Sequence, residues 1–155
     1  MISRNGTGVD NIDLEAAGKK KIQICRTAGA NAQGVAELTL GLLLSLVRSI
    51  PFSNACLKKT RWQRSKGTEL KGRVLGLVGC GEIGKRTAKM AVGMGMQVVA
   101  YDYLPDPSWR LNNFAYVDLA DLYRQADFIS IGGYTYESVT RATVEAVENL
   151  INALK

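Results

Sequence analysis

Four short apolar runs punctuate the chain: Val74 to Val78, Gln97 to Tyr101, Ala115 to Val117 and Asp127 to Ile131. They are rich in Val, Leu, Ile and aromatic residues. Gly, Asp or Asn stand close to them. Runs of this length without strict alternation predict strands buried on both faces, the pattern of a parallel sheet. Between them the period becomes helical. Lys85 to Met96 has helix-forming composition, with Ala88, Ala91, Val92 and Gly95 spaced to give an inward face of small residues. Asp118 is placed to cap a short helix through Leu119, Leu122 and Tyr123. Gly132-Gly133 breaks the chain, and Thr135 to Lys155 predicts a last amphipathic helix with Val139, Ala142, Ala146, Leu150 and Leu154 inward.

Upstream, Arg4 to Asp13 is turn-rich, Leu14 to Lys20 suits a short helix, and Lys21 to Cys25 alternates weakly like a short strand. Thr27 to Asn31 reads as a loop. From Gly34 to Cys56 a long helix is expected. Val35, Leu38, Leu42, Leu46 and Ile50 lie at helical spacing, while Leu40, Leu43, Leu44 and Val47 spread the apolar surface over most of the circumference. Glu37 and Arg48 bracket a stretch too short to cross a bilayer. Such a helix is expected to pack between two bodies. Pro51 kinks or ends it.

The chain's chemistry centres on the turn after the first of the four apolar runs. Gly79-Cys80-Gly81-Glu82-Ile83-Gly84 has the form G-x-G-x-x-G between a strand and a helix, the fingerprint of a dinucleotide site. Gly79 permits the tight turn, Gly81 lets a pyrophosphate approach the backbone, and Gly84 lets the helix pack on the strand. Unpaired amides at the helix start suit a diphosphate. Asp102 ends the next strand 18 residues beyond Gly84, close to the roughly 20 expected for the acid that accepts ribose hydroxyls. A carboxylate there favours NAD over NADP, whose 2′-phosphate would meet a like charge. The competing view is a βαβ unit whose glycines serve packing alone.

Composition narrows the function further. In 155 residues there is room for one sizeable core, or one domain with appendages. An apolar share of 46% with 22% charged residues is ordinary for a globular chain. The net charge of +6 is spread over short basic runs, and Trp62 is the one aromatic among them. That pattern fits solvated faces better than a nucleic-acid platform. Cys25, Cys56 and Cys80 lack metal-ligand spacing, so free thiols and a cytoplasmic location are expected. Histidine is absent altogether, which excludes an imidazole general base within this chain.

Read in order, these segments resemble the D-2-hydroxyacid dehydrogenase family, and within it D-3-phosphoglycerate dehydrogenases. The segments that carry the likeness are Arg4 to Asp13, Val35-Ala36-Glu37-Leu38, Arg48-Ser49-Ile50-Pro51, Gly67 to Gly72, the glycine turn, Tyr101-Asp102 and Ala126-Asp127-Phe128-Ile129. The resemblance implies an α/β fold: a partial Rossmann-type doubly wound parallel sheet of about four strands with long flanking helices. It further implies a substrate-domain remnant over residues 1–33, a joining helix and linker over 34–66, an NAD-binding core over 67–134 and a second joining helix over 135–155. By the same likeness Thr27, Glu82, Ile83 and Asp102 contact NAD, and Arg4 is a substrate-side residue.

From Ser130 onward the family pattern is interrupted. The Arg, Glu and His segments that bind substrate and move its proton are lacking, and Ser130 stands near where the His would be. Ile131-Gly132-Gly133-Tyr134-Thr135 then resembles the segment that follows that His. A dehydrogenase that keeps its nucleotide cradle without its catalytic block is therefore expected. The alternative is an oligomeric structural or regulatory module without turnover. Loss of most of a substrate domain would bare the helix from Gly34, so a homodimer or larger oligomer built on the joining helices is expected.

Overall fold

The structure, a computed structural model, describes residues 1–4, 8–9, 11–27 and 29–131. The expected break at Gly132-Gly133 and the expected helix from Thr135 to Lys155 lie outside the described residues.

The elements in order are β1 (Ile2–Arg4), α1 (Leu14–Lys19), β2 (Ile24–Arg26), α2 (Ala32–Val47), α3 (Ile50–Lys58), β3 (Val74–Val78), α4 (Glu82–Gly93), β4 (Gln97–Tyr101), β5 (Phe114–Tyr116), α5 (Leu119–Gln125) and β6 (Phe128–Ile131). The four apolar runs form one parallel sheet in the order β5-β4-β3-β6. The chain moves outward from β3 to β4 and β5, then crosses back to place β6 on the other side of β3. The strand order reverses at β3, which puts a ligand crevice at the carboxyl ends of β3 and its neighbours.

Each face of the sheet has its own core. On one, Leu75, Leu77, Val98 and Ala100 meet Ala88 and Ala91 of α4, and Leu40, Leu43 and Val47 of α2 join the same cluster. On the other, Val78 and Val99 meet Leu119 and Leu122 of α5. Leu75 and Leu77 are almost fully buried, and each contributes roughly 1.5–3 kcal/mol by leaving water. Helices on both faces of an all-parallel sheet give the doubly wound α/β arrangement.

Several local expectations need correction. The helix expected from Gly34 to Cys56 is two helices, α2 and α3, bent by 65° at their junction. Pro51 has no N–H to give the Val47 carbonyl, and its ring would collide there in a continuous helix. Ser49 turns into the left-handed region at φ 50°, and the freed Val47 carbonyl accepts the Thr68 N–H at 2.9 Å instead. No single described helix is long and apolar enough to cross a membrane.

The helix α2 buries one face only. Ala32, Ala36, Leu40, Leu43 and Val47 are covered, whereas Leu38, Leu42 and Leu46 are 61%, 63% and 70% exposed. Its surface is therefore not covered all round by the described residues. In α4 the inward face is Gly84, Thr87, Ala88 and Ala91. Gly95 lies beyond the helix, exposed, at φ 80°, and Val92 is half-buried.

Asp118 stands at the N-cap of α5 without a side-chain capping bond. The third strand of the sheet begins and ends one residue earlier than expected, at Phe114 and Tyr116. The upstream strand runs Ile24–Arg26, because Lys21 takes φ 52° in the turn after α1. Its parallel partner Ile2–Arg4 was not expected, since three residues carry no readable period.

Candidate nucleotide site

The turn after β3 is fixed by the strand beside it. The Gly79 N–H donates to the Tyr101 carbonyl at 2.8 Å. The chain reverses there through φ 99°, a region that disfavours any residue with a Cβ. Cys80 follows, and its N–H donates to Asp102 Oδ2 at 2.6 Å. The other carboxylate oxygen, Oδ1, accepts the Leu104 N–H at 2.9 Å. Asp102 is thus locked between the phosphate turn and its own loop. Each of its oxygens has a second lone pair for a hydroxyl.

Gly81 is the N-cap of α4, and no side chain caps the helix. The amides of the first turn are accordingly left for a ligand, with the positive end of the helix dipole behind them. A Cβ built on Gly81 would meet nothing within 4 Å, so the space above it is open. One built on Gly84 would lie 2.4 Å from the Gly79 carbonyl oxygen. The two glycines therefore do different work: Gly84 permits packing, and Gly81 permits approach. A diphosphate fits this cradle, and a ribose diol fits beside it at Asp102.

Glu82 and Ile83 occupy the first turn of α4. Glu82 makes an exposed pair with Arg86 at 3.6 Å, which contributes little to stability. Thr27 directly follows β2, and a Cβ on Gly29, two residues on, would stand 3.7 Å from Glu82 Cγ. The Thr27 loop is thereby brought to the head of α4. Arg4 ends β1, paired in register with Arg26 in a separate two-stranded sheet. A groove of about 460 Å³ crosses the outer face of α4 between Gln33 and Trp109 and shares Glu82 and Lys85 with the helix head.

Beneath the turn, Cys80 is buried, and desolvation pushes its thiol up, against a smaller opposing effect from Tyr116. A thiol held protonated and covered is inert, so Cys80 acts as a small apolar residue. The Tyr116 hydroxyl is buried without a hydrogen-bond partner of acceptable geometry among the described residues. Burial, then the neighbouring Cys80 thiol, push the phenol up to about 12.

One feature of the site had no signal in the sequence. Lys85 Nζ donates to Asp106 Oδ2 at 2.6 Å, tying α4 to the loop after Asp102. Asp106 also accepts the Ser108 N–H at 3.0 Å and Oγ–H at 2.6 Å. The Lys85 bond first, and then the Ser108 bonds, hold its carboxyl well below the usual carboxylate range. The two partners are far apart in sequence with no motif joining them, so only the folded chain reveals the pair.

Comparisons with known proteins identify the family. The profile of the D-isomer specific 2-hydroxyacid dehydrogenase NAD-binding domain matches residues 40–149. A hydroxypyruvate reductase from Thermotoga maritima is 42% identical over 134 residues, 84% of this chain and 43% of that protein. A D-3-phosphoglycerate dehydrogenase from Methanocaldococcus jannaschii is 42% identical over 135 residues, 84% of this chain and 26% of that protein. Among solved structures, an Aquifex aeolicus D-lactate dehydrogenase complexed with NAD and lactic acid superposes with a TM-score of 0.75 at 29% identity, over 88% of this chain and 43% of that one. The chain thus spans less than half the length of these relatives. It belongs to the D-isomer specific 2-hydroxyacid dehydrogenase family and carries that family's NAD-binding domain.

Proposed function

We propose that the chain binds NAD through Thr27, Gly79, Gly81, Glu82, Ile83, Gly84 and Asp102, and does not by itself turn over a 2-hydroxy acid. The observation that carries this reading is the Cys80–Asp102 bond beside the open space above Gly81, which sets a diol acceptor next to a diphosphate cradle. NAD supplies a hydride acceptor when bound. The chain's own residues bind and orient the adenosine diphosphate half and exclude a 2′-phosphate by charge. No histidine exists in the sequence to move the hydroxyl proton, and a serine such as Ser130 does not ionise near neutral pH. Arg4 is assigned to the substrate side. The parent chemistry is hydride transfer on a D-2-hydroxy acid of the 3-phosphoglycerate type. Residues 1–33 are a substrate-domain remnant, 34–66 a joining helix and linker, 67–134 the NAD-binding core and 135–155 a second joining helix.

The partner assigned to the joining helices is a second copy of the chain. Leu38, Leu42 and Leu46 repeat every four residues along α2 and leave an apolar ridge in water, and Ile50 and Phe52 of α3 are exposed as well; exposed apolar area of this kind drives association. The same ridge favours a second reading, an oligomeric structural or regulatory module that binds no nucleotide. A cytoplasmic location is proposed, with no nucleic-acid or membrane partner. Calorimetric titration with NAD, NADH and NADP separates the two readings. Binding of NADH that is lost in Asp102→Ala supports the first, and no binding of any nucleotide leaves the second.

A further inference from the structure

We propose that Lys85 and Asp106 are a positioning pair that holds the adenosine wall of the site in its binding shape before any ligand arrives. This inference rests on the NAD-binding reading above.

The loop from Tyr103 to Arg110 carries the residues that flank Asp102, and much of it stands in water. Tyr103 is 86% and Leu104 is 80% exposed. A loop so exposed has few apolar contacts to hold it, and its order must come from specific bonds. Three converge on Asp106: Lys85 Nζ from α4, and both the N–H and Oγ of Ser108. Lys85 also lies 5.9 Å over the Trp109 ring. Trp109 in turn meets Phe114 edge-on at 4.5 Å, and Phe114 meets Tyr116 at 4.9 Å. The loop is thereby pinned at one end to the cofactor helix and at the other to the sheet. Asp102, four residues before Asp106, accepts the Leu104 N–H within the same loop. If the pin is released, the Leu104 bond and the orientation of the Asp102 carboxylate loosen together. The ligand must then supply the ordering.

Charge and position predict opposite signs, which makes the pair testable. Asp106→Asn removes a carboxylate near an anionic ligand and frees a lysine. If the pair matters only through charge, ADP-ribose binds more tightly to this variant. If it positions the loop, ADP-ribose binds about tenfold more weakly. We would titrate the full chain, Asp106→Asn, Ser108→Ala and Lys85→Arg with ADP-ribose by calorimetry. Hydrogen exchange of the Leu104 and Ser108 amides would be followed in the absence of ligand.

Positioning predicts weaker binding and faster amide exchange in Asp106→Asn, an intermediate effect in Ser108→Ala and near-normal behaviour in Lys85→Arg, with melting temperatures confirming a folded chain. Unchanged or tighter binding together with unchanged exchange in Asp106→Asn overturns the inference and leaves the NAD reading standing. Failure of the unaltered chain to bind ADP-ribose overturns the NAD reading, and this inference with it. Should Asp106→Asn fail to fold, Ser108→Ala decides between the same two outcomes.

Discussion

Asp102 accepts the backbone N–H of Cys80 at 2.6 Å, so the acid at the end of β4 is bonded directly into the glycine turn that follows β3. Two adjacent parallel strands, in register from Val74 with Gln97 to Val78 with Tyr101, bring the two ends together. The phosphate cradle and the ribose acid are therefore tied to each other by a direct hydrogen bond.

Removing that acid is expected to weaken NADH binding by about 10- to 100-fold, the range for hydrogen bonds to a charged group. In Asp102→Ala the discrimination against NADP should shrink as well, because the like charge facing a 2′-phosphate has gone. Calorimetry with both dinucleotides reads the two effects, and an unaltered preference for NAD in the variant would count against the assignment.

Gly84 and Gly81 should separate folding from binding. Gly84→Ala places a methyl 2.4 Å from the Gly79 carbonyl oxygen, and relieving that overlap costs about 1–3 kcal/mol. Its melting temperature should fall by roughly 5 °C or more. Gly81→Ala meets no atom within 4 Å, so its loss of stability stays below about 1 kcal/mol. Its methyl instead fills the space through which the pyrophosphate approaches, and NADH binding should disappear. The opposite allocation of the two effects would show that the turn has been read wrongly.

Asp127 supplies a pH dependence. Its carboxylate accepts the Val74 N–H at 2.9 Å and Arg73 Nη1 at 3.1 Å. The Val74 bond first, and the arginine after it, hold its pKa below the ordinary value. A carboxyl lowered on folding adds stability that is complete above the unfolded value of about 3.9 and is lost as pH falls through the folded one. The advantage of the unaltered chain over Asp127→Asn in urea should be constant between pH 6 and about pH 5. It should then decline below about pH 4. An advantage that grows on acidification would refute the role.

The ridge on α2 predicts an assembly. Leu42 and Leu46 are 63% and 70% exposed in the single chain, so Leu42→Lys with Leu46→Glu should alter its stability by no more than about 1 kcal/mol in total. Light scattering at micromolar concentration should show an oligomer for the unaltered chain and a monomer for the double variant. A monomer in both cases removes the proposed self-association.

Those parts of the fold whose physics is local can be read from the order of the residues. Apolar runs of four or five residues bounded by turn residues suit buried strands, and three glycines at fixed spacing between strand and helix suit a tight turn, a close approach and close packing. For that reason β3, α4, β4, β6 and the positions of Gly79, Gly81, Gly84 and Asp102 were legible to within a few residues. The limits of α4 and of the upstream strand still shift by up to three residues from the expected ones, with left-handed turns at Gly95 and Lys21 resetting the chain where composition still permits helix or strand.

Tertiary structure decided what depends on partners distant in sequence. Pro51 marked a break, but the choice to end the helix at Val47 was completed by Thr68, which takes up the carbonyl that Pro51 leaves unpaired. Which side of the leucine-rich α2 is covered was settled by α4, since an all-round apolar pattern has no preferred face of its own. The lock on Asp102 by the Cys80 amide, and the Lys85–Asp106 bridge beside it, arise only when parallel strands set their carboxyl ends side by side. Spacing along a chain fixes which groups are available, and the register of the sheet fixes which of them meet.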